Sequence, residues 1–513
     1  MFAVINHITP FEIEPKLLYN SIQLIAHLVK IKLFMKKTLF LLFALTSSIL
    51  PQNFLEYNDL DKRINELTFN EEYDSALNLC DSIIKIDKLN PKYYFYYFGA
   101  DALKLHSKLN QSPLNDRDSL KESLLKKSIN KMEHVLENLE DIEETPTNRF
   151  YKAGLYGYYS RHAGMNGSWW AAYKNGMRSV DMFEEIIEEY PECYDAYLYP
   201  GVFKYYADRL SGITGFLAGI LGVSGDRSEG LREINLALKN GKIVFPQASL
   251  MMLEIYAFME GDGYASLTYF EAFIDQFPKN QKIKNWYVNT MLNLGLAEKA
   301  SIMFEDENTK MLDDFVKAKY YFLINDNPAS IEFARSAFED NPPTWRGIIE
   351  YTKYLYIYNN WLMGDEEEVN KRKSQLSEYY NKKFNLDSAY ASESKYVYKL
   401  RSLAARGEHE AFYQLIEKAP DFKGKEFEDE FYLIQGVFLY QQERFAEAEP
   451  YFIKSKKSNN WRSKVNSLGY LLDIYLATDT TEEKAEELFK EIGDSDYKRL
   501  IFRSADLEKK YRL

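Results

Sequence analysis

Apolar residues recur at intervals of three and four along nearly the whole chain after residue 54, as in Leu77, Cys80 and Ile84. This interval is the repeat of one face of an α-helix. Alternating apolar and polar runs bounded by Gly or Pro, which indicate strands, are essentially missing. Short breaks such as Leu89-Asn90-Pro91 and Arg406-Gly407-Glu408 divide the pattern. The chain is therefore predicted to be all-α, with many helices joined by brief turns.

A unit of about 34 residues repeats within this helical pattern. Its clearest copy places Tyr432, Gln435, Gly436 and Leu439 on one helix and Phe445, Ala448, Phe452 and Ser455 on the next. The same spacing recurs in Ala318, Tyr321, Ser330, Ala334, Ala337 and Pro342, and in Leu250, Leu253, Ala257, Ser266, Phe270 and Pro278. These positions resemble the tetratricopeptide repeat over roughly residues 55–510. The resemblance implies a right-handed α-solenoid of helical hairpins, in which we expect Ala448 to face Gly436.

Residues 147–280 carry a more particular arrangement. A helix containing Gly201 ends in Tyr205-Tyr206-Ala207-Asp208, an apolar insertion follows at 211–225, and Gly225-Asp226-Arg227 then leads to Gly230. Gly230, Ile234 and Ala237 hold the positions of the delayed second helix. This order resembles the inclusion-body-clearance family of tetratricopeptide proteins and its bacterial relatives. The resemblance implies an interaction or adaptor role and brings no catalytic residues with it. Residues 53–146 are then N-terminal repeats, and 281–513 are C-terminal repeats with capping helices.

Three features of this region have both a structural and a functional interpretation. Asp226 and Glu229 have the spacing of a helix capping box, which we favour over an anion site at the same helix start. Trp169 and Trp170 are expected to fill a gap between helices, although they could stack on a sugar or a peptide. The apolar stretch 211–223 is expected to pack back on the repeats, with peripheral membrane contact as the alternative.

The first 52 residues resemble an export signal rather than part of the fold. Met35-Lys36-Lys37 begins a charged segment, and the apolar run from Leu39 to Leu50 follows it, so residues 35–52 have the layout of a secretory signal peptide. The run is too short for a membrane-spanning helix, which needs about 20 apolar residues. Residues 1–34 are interpreted as an upstream extension that is not native. We therefore expect an exported protein of a bacterial periplasm or cell envelope.

Composition and charge narrow the possible functions. The chain has 513 residues, of which 46% are hydrophobic and 27% charged, so it is neither disordered nor fibrous. Its net charge of −13 argues against nucleic acid as a partner. Two cysteines and six scattered histidines give no cluster suited to a metal. No catalytic or phosphate-binding motif occurs, so we expect no enzyme activity and no cofactor.

The leading hypothesis is a scaffold that binds a protein or peptide partner in the concave groove of the repeats. On the clearest repeat, the residues expected to line that groove are Glu430, Leu433, Val437, Tyr440 and Gln441. They could instead lie under the final helices, 461–478 and 480–491. An envelope protein that binds glycans is the alternative favoured by the aromatic content. A hydrolase with its site in 359–389 is a third class, but that stretch has no His or Cys.

Export predicts a processed N-terminus. If translation begins at Met35, N-terminal sequencing of the native protein should begin between about Ile49 and Phe54. Peptides from residues 1–34 in the mature protein would contradict this interpretation.

Overall fold

The structure, a computed structural model, describes residues 54–112, 117–220, 225–305, 312–340, 346–458, 460–495 and 497–512, with the side chains of 110–111 and 210–220 left aside. Within these ranges the regular structure is helical and no strand occurs. The prediction of an all-α chain is confirmed for the described residues. The predicted signal peptide, 35–52, and the predicted upstream extension, 1–34, lie outside them.

Twelve helices follow one another in the first part of the described chain. They are α1 (Asp59–Phe69), α2 (Tyr73–Ile86), α3 (Pro91–Gln111), α4 (Arg117–Asn138), α5 (Pro146–Met165), α6 (Trp169–Glu189), α7 (Leu198–Ile220), α8 (Arg227–Asn240), α9 (Phe245–Glu254), α10 (Gly263–Gln276), α11 (Gln281–Asn293) and α12 (Ala297–Glu305). A 3-10 turn at Tyr194–Tyr197 precedes α7, and a π-helical turn at Ile255–Met259 follows α9.

Twelve more helices complete the described chain. They are α13 (Asp314–Leu323), α14 (Asn327–Glu339), α15 (Arg346–Met363), α16 (Glu366–Arg372), α17 (Glu378–Ala389), α18 (Ala391–Ala405), α19 (His409–Glu417), α20 (Glu428–Gln441), α21 (Phe445–Ser455), α22 (Trp461–Ala477), α23 (Glu482–Gly493) and α24 (Lys498–Tyr511). Consecutive helices pack against each other most closely at α5–α6, α7–α8, α13–α14, α14–α15 and α20–α21.

Helices α20 and α21 pair through a glycine and a phenylalanine. A Cβ on Gly436 would lie 2.7 Å from the ring of Phe452, and its three nearest neighbours are all atoms of that ring. Ala448 is fully buried, but the surface that meets Gly436 is the Phe452 ring, which corrects the expected pairing. Phe452 also stacks on Tyr470 of α22 at 4.8 Å. One aromatic side chain therefore joins this helical pair to the next.

The second repeat unit also pairs in register. The hydroxyl of Ser330 on α14 donates to the carbonyl of Ala318 on α13 at 2.8 Å. The rings of Tyr321 and Phe333 stack at 5.4 Å across the same pair. In the third unit, Ser266 and Phe270 are fully buried on α10. Small or hydroxyl side chains at the crossing point allow this close approach, and aromatic rings fill the space beside it.

The delayed partner of α7 is α8, as the spacing predicted. Gly230, Ile234 and Ala237 are buried against α7. The backbones of Gly230 and Gly201 almost touch, because a Cβ on Gly230 would lie 2.6 Å from the carbonyl oxygen of Gly201. Farther along, the Asp195 carboxylate accepts hydrogen bonds from the amides of residues 242, 243 and 244 at 2.7–2.9 Å. This carboxylate therefore fixes the chain between α8 and α9 to the start of α7.

The glycine crossing makes a stability prediction. Gly230→Ala should lower the free energy of unfolding by about 1–3 kcal/mol, because its methyl group would force α7 and α8 apart. The matched control is Gly469→Ala in α22, where the new Cβ would make only an ordinary contact, at 3.6 Å, with Leu500. At that position, replacing a helical glycine by alanine should raise the free energy of unfolding by about 0.5–1 kcal/mol. Equal melting temperatures for the two variants would show that the crossing is not tight.

Candidate partner-binding surfaces

The face of α20 that was predicted to line a groove contacts a distant part of the chain. The side-chain amide of Gln441 donates to the carbonyl of Leu294, just after α11, at 2.8 Å. The ring of Tyr440 lies 5.3 Å from Tyr264 of α10 and 4.9 Å from Tyr470 of α22. Gln441 and Tyr440 therefore both contact residues that lie about 150 or more positions earlier in the sequence. Tyr440 also contacts the helix that follows its own pair.

The other three predicted groove residues are also half-buried. Glu430 pairs with Arg401 at 2.7 Å. Burial opposes the charged form of Glu430, but Arg401 outweighs it and lowers the pKa of this carboxyl. Leu433 and Val437 pack against the apolar cluster shared by α20–α24. The chain thus covers much of this face itself, and partner binding there stays a prediction.

An arginine of the sequence motif joins three separate segments. Arg227, the first residue of α8, donates to Glu260 at 2.8 Å and to both carboxylate oxygens of Asp506 on α24 at 2.8 Å. Glu260 is fully buried and also accepts from the hydroxyl of Tyr205 on α7. Burial opposes the charge of Arg227, but its bonds to Asp506 and Glu260 outweigh that and raise its pKa. The C-terminal helix is thereby fixed to the middle of the chain.

A second ion cluster lies beside the first. Arg503 of α24 pairs with Asp473 of α22 and, at 3.2 Å, with Asp262 just before α10. Burial raises the pKa of Asp473 to about 6, against the opposing effect of Arg503. Arg209 of α7 lies 4.2 Å above the ring of Phe502 on α24. Charged and aromatic contacts therefore join α24 to α22, to the start of α10 and to α7.

The remaining motif residues have structural roles in this region. Asp226 caps α8 by accepting from the amide of Glu229 at 2.9 Å. The Glu229 carboxylate does not complete the predicted capping box, since it pairs with Arg232 instead, at 2.6 Å. The backbone of α7 continues to Ile220, which covers most of the apolar insertion, while the side chains of that part lie outside the described set. Of the helices in the described ranges, none has the length and apolar character to cross a membrane.

The predicted burial of the tryptophan pair is wrong. Trp169 is 50% exposed and Trp170 is 71% exposed at the start of α6. Trp170 stacks on Tyr173 of the same helix at 5.8 Å rather than on a neighbouring helix. A groove of about 540 Å³ runs along this face of α6. The tryptophans are therefore part of the molecular surface.

A second aromatic surface, which we call the α22 platform, is formed by Trp461, Arg462, Tyr379 and Tyr497. Trp461 is 53% exposed at the start of α22 and stacks on Tyr497 at 6.0 Å. The guanidinium of Arg462 lies 5.3 Å from the Trp461 ring and 4.9 Å from the ring of Tyr379 on α17. The helix that begins at residue 461 was predicted, but its exposed surface was not, although a tryptophan at a helix start was the available signal.

Both cysteines are buried, and they lie in different parts of the chain. Burial raises the pKa of Cys80 and of Cys193 to about 12, so neither thiol is a ready nucleophile. Among the described residues, no three His, Cys, Asp or Glu side chains lie together as a metal site would require. In the stretch considered for a hydrolase, buried Asp387 accepts from Tyr354 at 2.7 Å and from Ser394 at 3.1 Å. These bonds join α15, α17 and α18.

No protein-family model matches the chain, and no curated protein matches it either.

The Arg227 cluster predicts a large effect of a single substitution. Arg227→Met should lower the free energy of unfolding by about 3 kcal/mol, because it leaves the buried Glu260 carboxylate with only Tyr205 and, at 3.9 Å, Arg209. Adding Glu260→Gln should recover part of that loss. Denaturant titration measures both effects.

The matched control is Arg232→Met on the same helix. Arg232 pairs with Glu229 at the surface, where such a pair contributes less than about 1 kcal/mol. If Arg232→Met lowers the free energy of unfolding as much as Arg227→Met does, the burial of the Arg227–Glu260 pair is not what stabilises the contact between α8 and α24.

Proposed function

We propose that this protein is a non-catalytic, exported repeat scaffold that binds a protein or peptide partner. The proposal joins the all-helical pairing with the resemblance to tetratricopeptide proteins and the export signal in the sequence. In this proposal the helical pairs form a right-handed α-solenoid, and the inclusion-body-clearance resemblance of residues 147–280 reflects an adaptor role. Catalysis, cofactors and nucleic acid have no part in it.

The observation that carries the proposal is the α22 platform. Trp, Tyr and Arg are the residue types that dominate binding energy at protein interfaces, and here all three are adjacent. Trp461 and Tyr379 expose flat rings, while the Arg462 guanidinium between them is already oriented. Little side-chain entropy would be lost when a partner covers such a surface. The platform is therefore a better binding surface than the half-buried face of α20.

The charge of the chain favours a basic partner. The net charge is −13, and removal of residues 1–52 makes the remaining chain more negative still. A field of this sign speeds the association of partners that carry Lys or Arg, most strongly at low ionic strength. The predicted groove residues Leu433 and Val437, with Glu430 beside them, could extend the contact to a basic segment.

Glycan binding is the second candidate, and the same platform favours it. An exposed tryptophan face such as that of Trp461 can stack on a sugar ring as well as on a peptide side chain. The binding of a glycan would depend on the ring of Trp461 and little on the net charge of the chain. The binding of a basic protein would depend on both.

The platform is tested by truncating its two central residues. Partners are captured on the full chain from an envelope fraction and identified, and the dissociation constant of the purified partner is then measured. Trp461→Ala with Arg462→Ala should weaken that binding at least about tenfold, the effect of removing one interface hot spot. Association should slow as salt is added if the partner is basic.

Trp169→Ala is the matched control, because it removes a tryptophan of nearly the same exposure, 50% against 53% for Trp461, from a different surface. It should leave this partner's dissociation constant unchanged. An unchanged constant in the Trp461 and Arg462 variant, with its melting temperature preserved, would place the binding surface elsewhere. Retention by envelope oligosaccharides and by no protein would favour the glycan-binding candidate.

A further inference from the structure

The groove on α6 is bordered by two rows of side chains from that single helix. One row consists of Trp170, Lys174, Arg178 and Met182, each four residues from the next. Trp170, Lys174 and Arg178 are exposed, and Met182 is half-buried. A row at this spacing forms a ridge on the helix surface.

The second row consists of Tyr173, Met177, Asp181 and Glu185, at the same spacing. Asp181 and Glu185 are exposed. Two parallel ridges with a groove between them are the surface that a second helix packs against. All the groove-lining residues within the described ranges belong to α6, so the groove does not close on another described element.

When the helix is turned end for end about its middle, each residue of one row takes the place of a residue of the other row. About the midpoint between Met177 and Arg178, Lys174 on one side corresponds to Asp181 on the other. Tyr173 corresponds to Met182 in the same way. Basic residues therefore lie toward the N-terminal end of the stripe, and acidic residues lie toward its C-terminal end. This surface is complementary to itself when the second helix runs antiparallel.

We propose that the groove on α6 binds the α6 helix of a second copy of this chain, in an antiparallel dimer with its two-fold axis near Met177 and Arg178. Lys174 of each copy then pairs with Asp181 of the other, so the contact occurs twice. Tyr173 packs on Met182 of the other copy, a favourable sulfur–aromatic contact. A parallel arrangement would place Lys174 against Lys174 and is excluded by repulsion.

Lys174 and Asp181 are the charges on the stripe that this dimer would pair, whereas Arg178 already lies 4.2 Å from the centre of the Tyr156 ring on α5. Within the described residues, the structure records no ion pair for Lys174, Asp181 or Glu185. An anionic membrane surface would attract Lys174 and repel Asp181 and Glu185 equally close by. In the antiparallel dimer, each Lys174 and each Asp181 has a partner of opposite charge.

The test is charge reversal in the full chain, with molar mass measured by light scattering and dimer affinity measured by sedimentation. The wild type should give twice the chain mass of 60.2 kDa. Lys174→Glu and Asp181→Lys should each weaken dimerisation at least tenfold, because each creates two repulsive pairs. Lys127→Glu, which reverses an exposed lysine on α4, is the matched control and should leave the dimer intact.

Restoration of the dimer separates this geometry from simple loss of charge. An equimolar mixture of the Lys174→Glu and Asp181→Lys proteins should form mixed dimers, since every contact is again between opposite charges. The double variant should dimerise with itself. A monomeric wild type, or failure of the mixture to pair while both proteins remain folded, would overturn the proposal. Binding of the monomer to anionic phospholipid vesicles through Trp170 would overturn it in favour of a membrane surface.

Discussion

The arrangement of this protein depends on one buried carboxylate and the arginine that neutralises it. Glu260 lies at the end of the π-helical turn with no exposed surface, where an unpaired charge would be very costly. Arg227 compensates that charge and extends to Asp506, 279 residues farther along the chain. The compensation requires α8, the turn after α9 and α24 to meet at one place. A chain of paired helices is thereby closed on itself.

This closure decides which surfaces remain available. Tyr440 and Gln441 lie against segments near residues 264 and 294, so the face of α20 becomes largely internal. Among the described residues, the exposed tryptophans lie instead at helix starts, on α6 and on α22. Both surfaces combine aromatic rings with nearby charged groups, a combination that is common at protein interfaces.

Several sequence predictions succeeded because they concern neighbouring helices. The pairing of α13 with α14, the delayed pairing of α7 with α8 and the cap at Asp226 all follow from residue spacing within about 40 positions. The errors concern the choice between competing partners. Glu229 pairs with Arg232 rather than with the cap amide, and the atoms nearest to Gly436 belong to the ring of Phe452 rather than to Ala448.

The sequence by itself determined that the described chain is helical, where its helices pair and which small residues stand at their crossings. Those properties arise from periodicity and side-chain size within one or two helices, and both can be read from a single chain. Only the tertiary structure decided that Arg227 meets Asp506, that Gln441 meets Leu294 and that Trp170 stays exposed. Such outcomes depend on how the many successive helices pack against one another along the chain. No local pattern contains that information, so residues hundreds of positions apart become neighbours without any signal in their spacing.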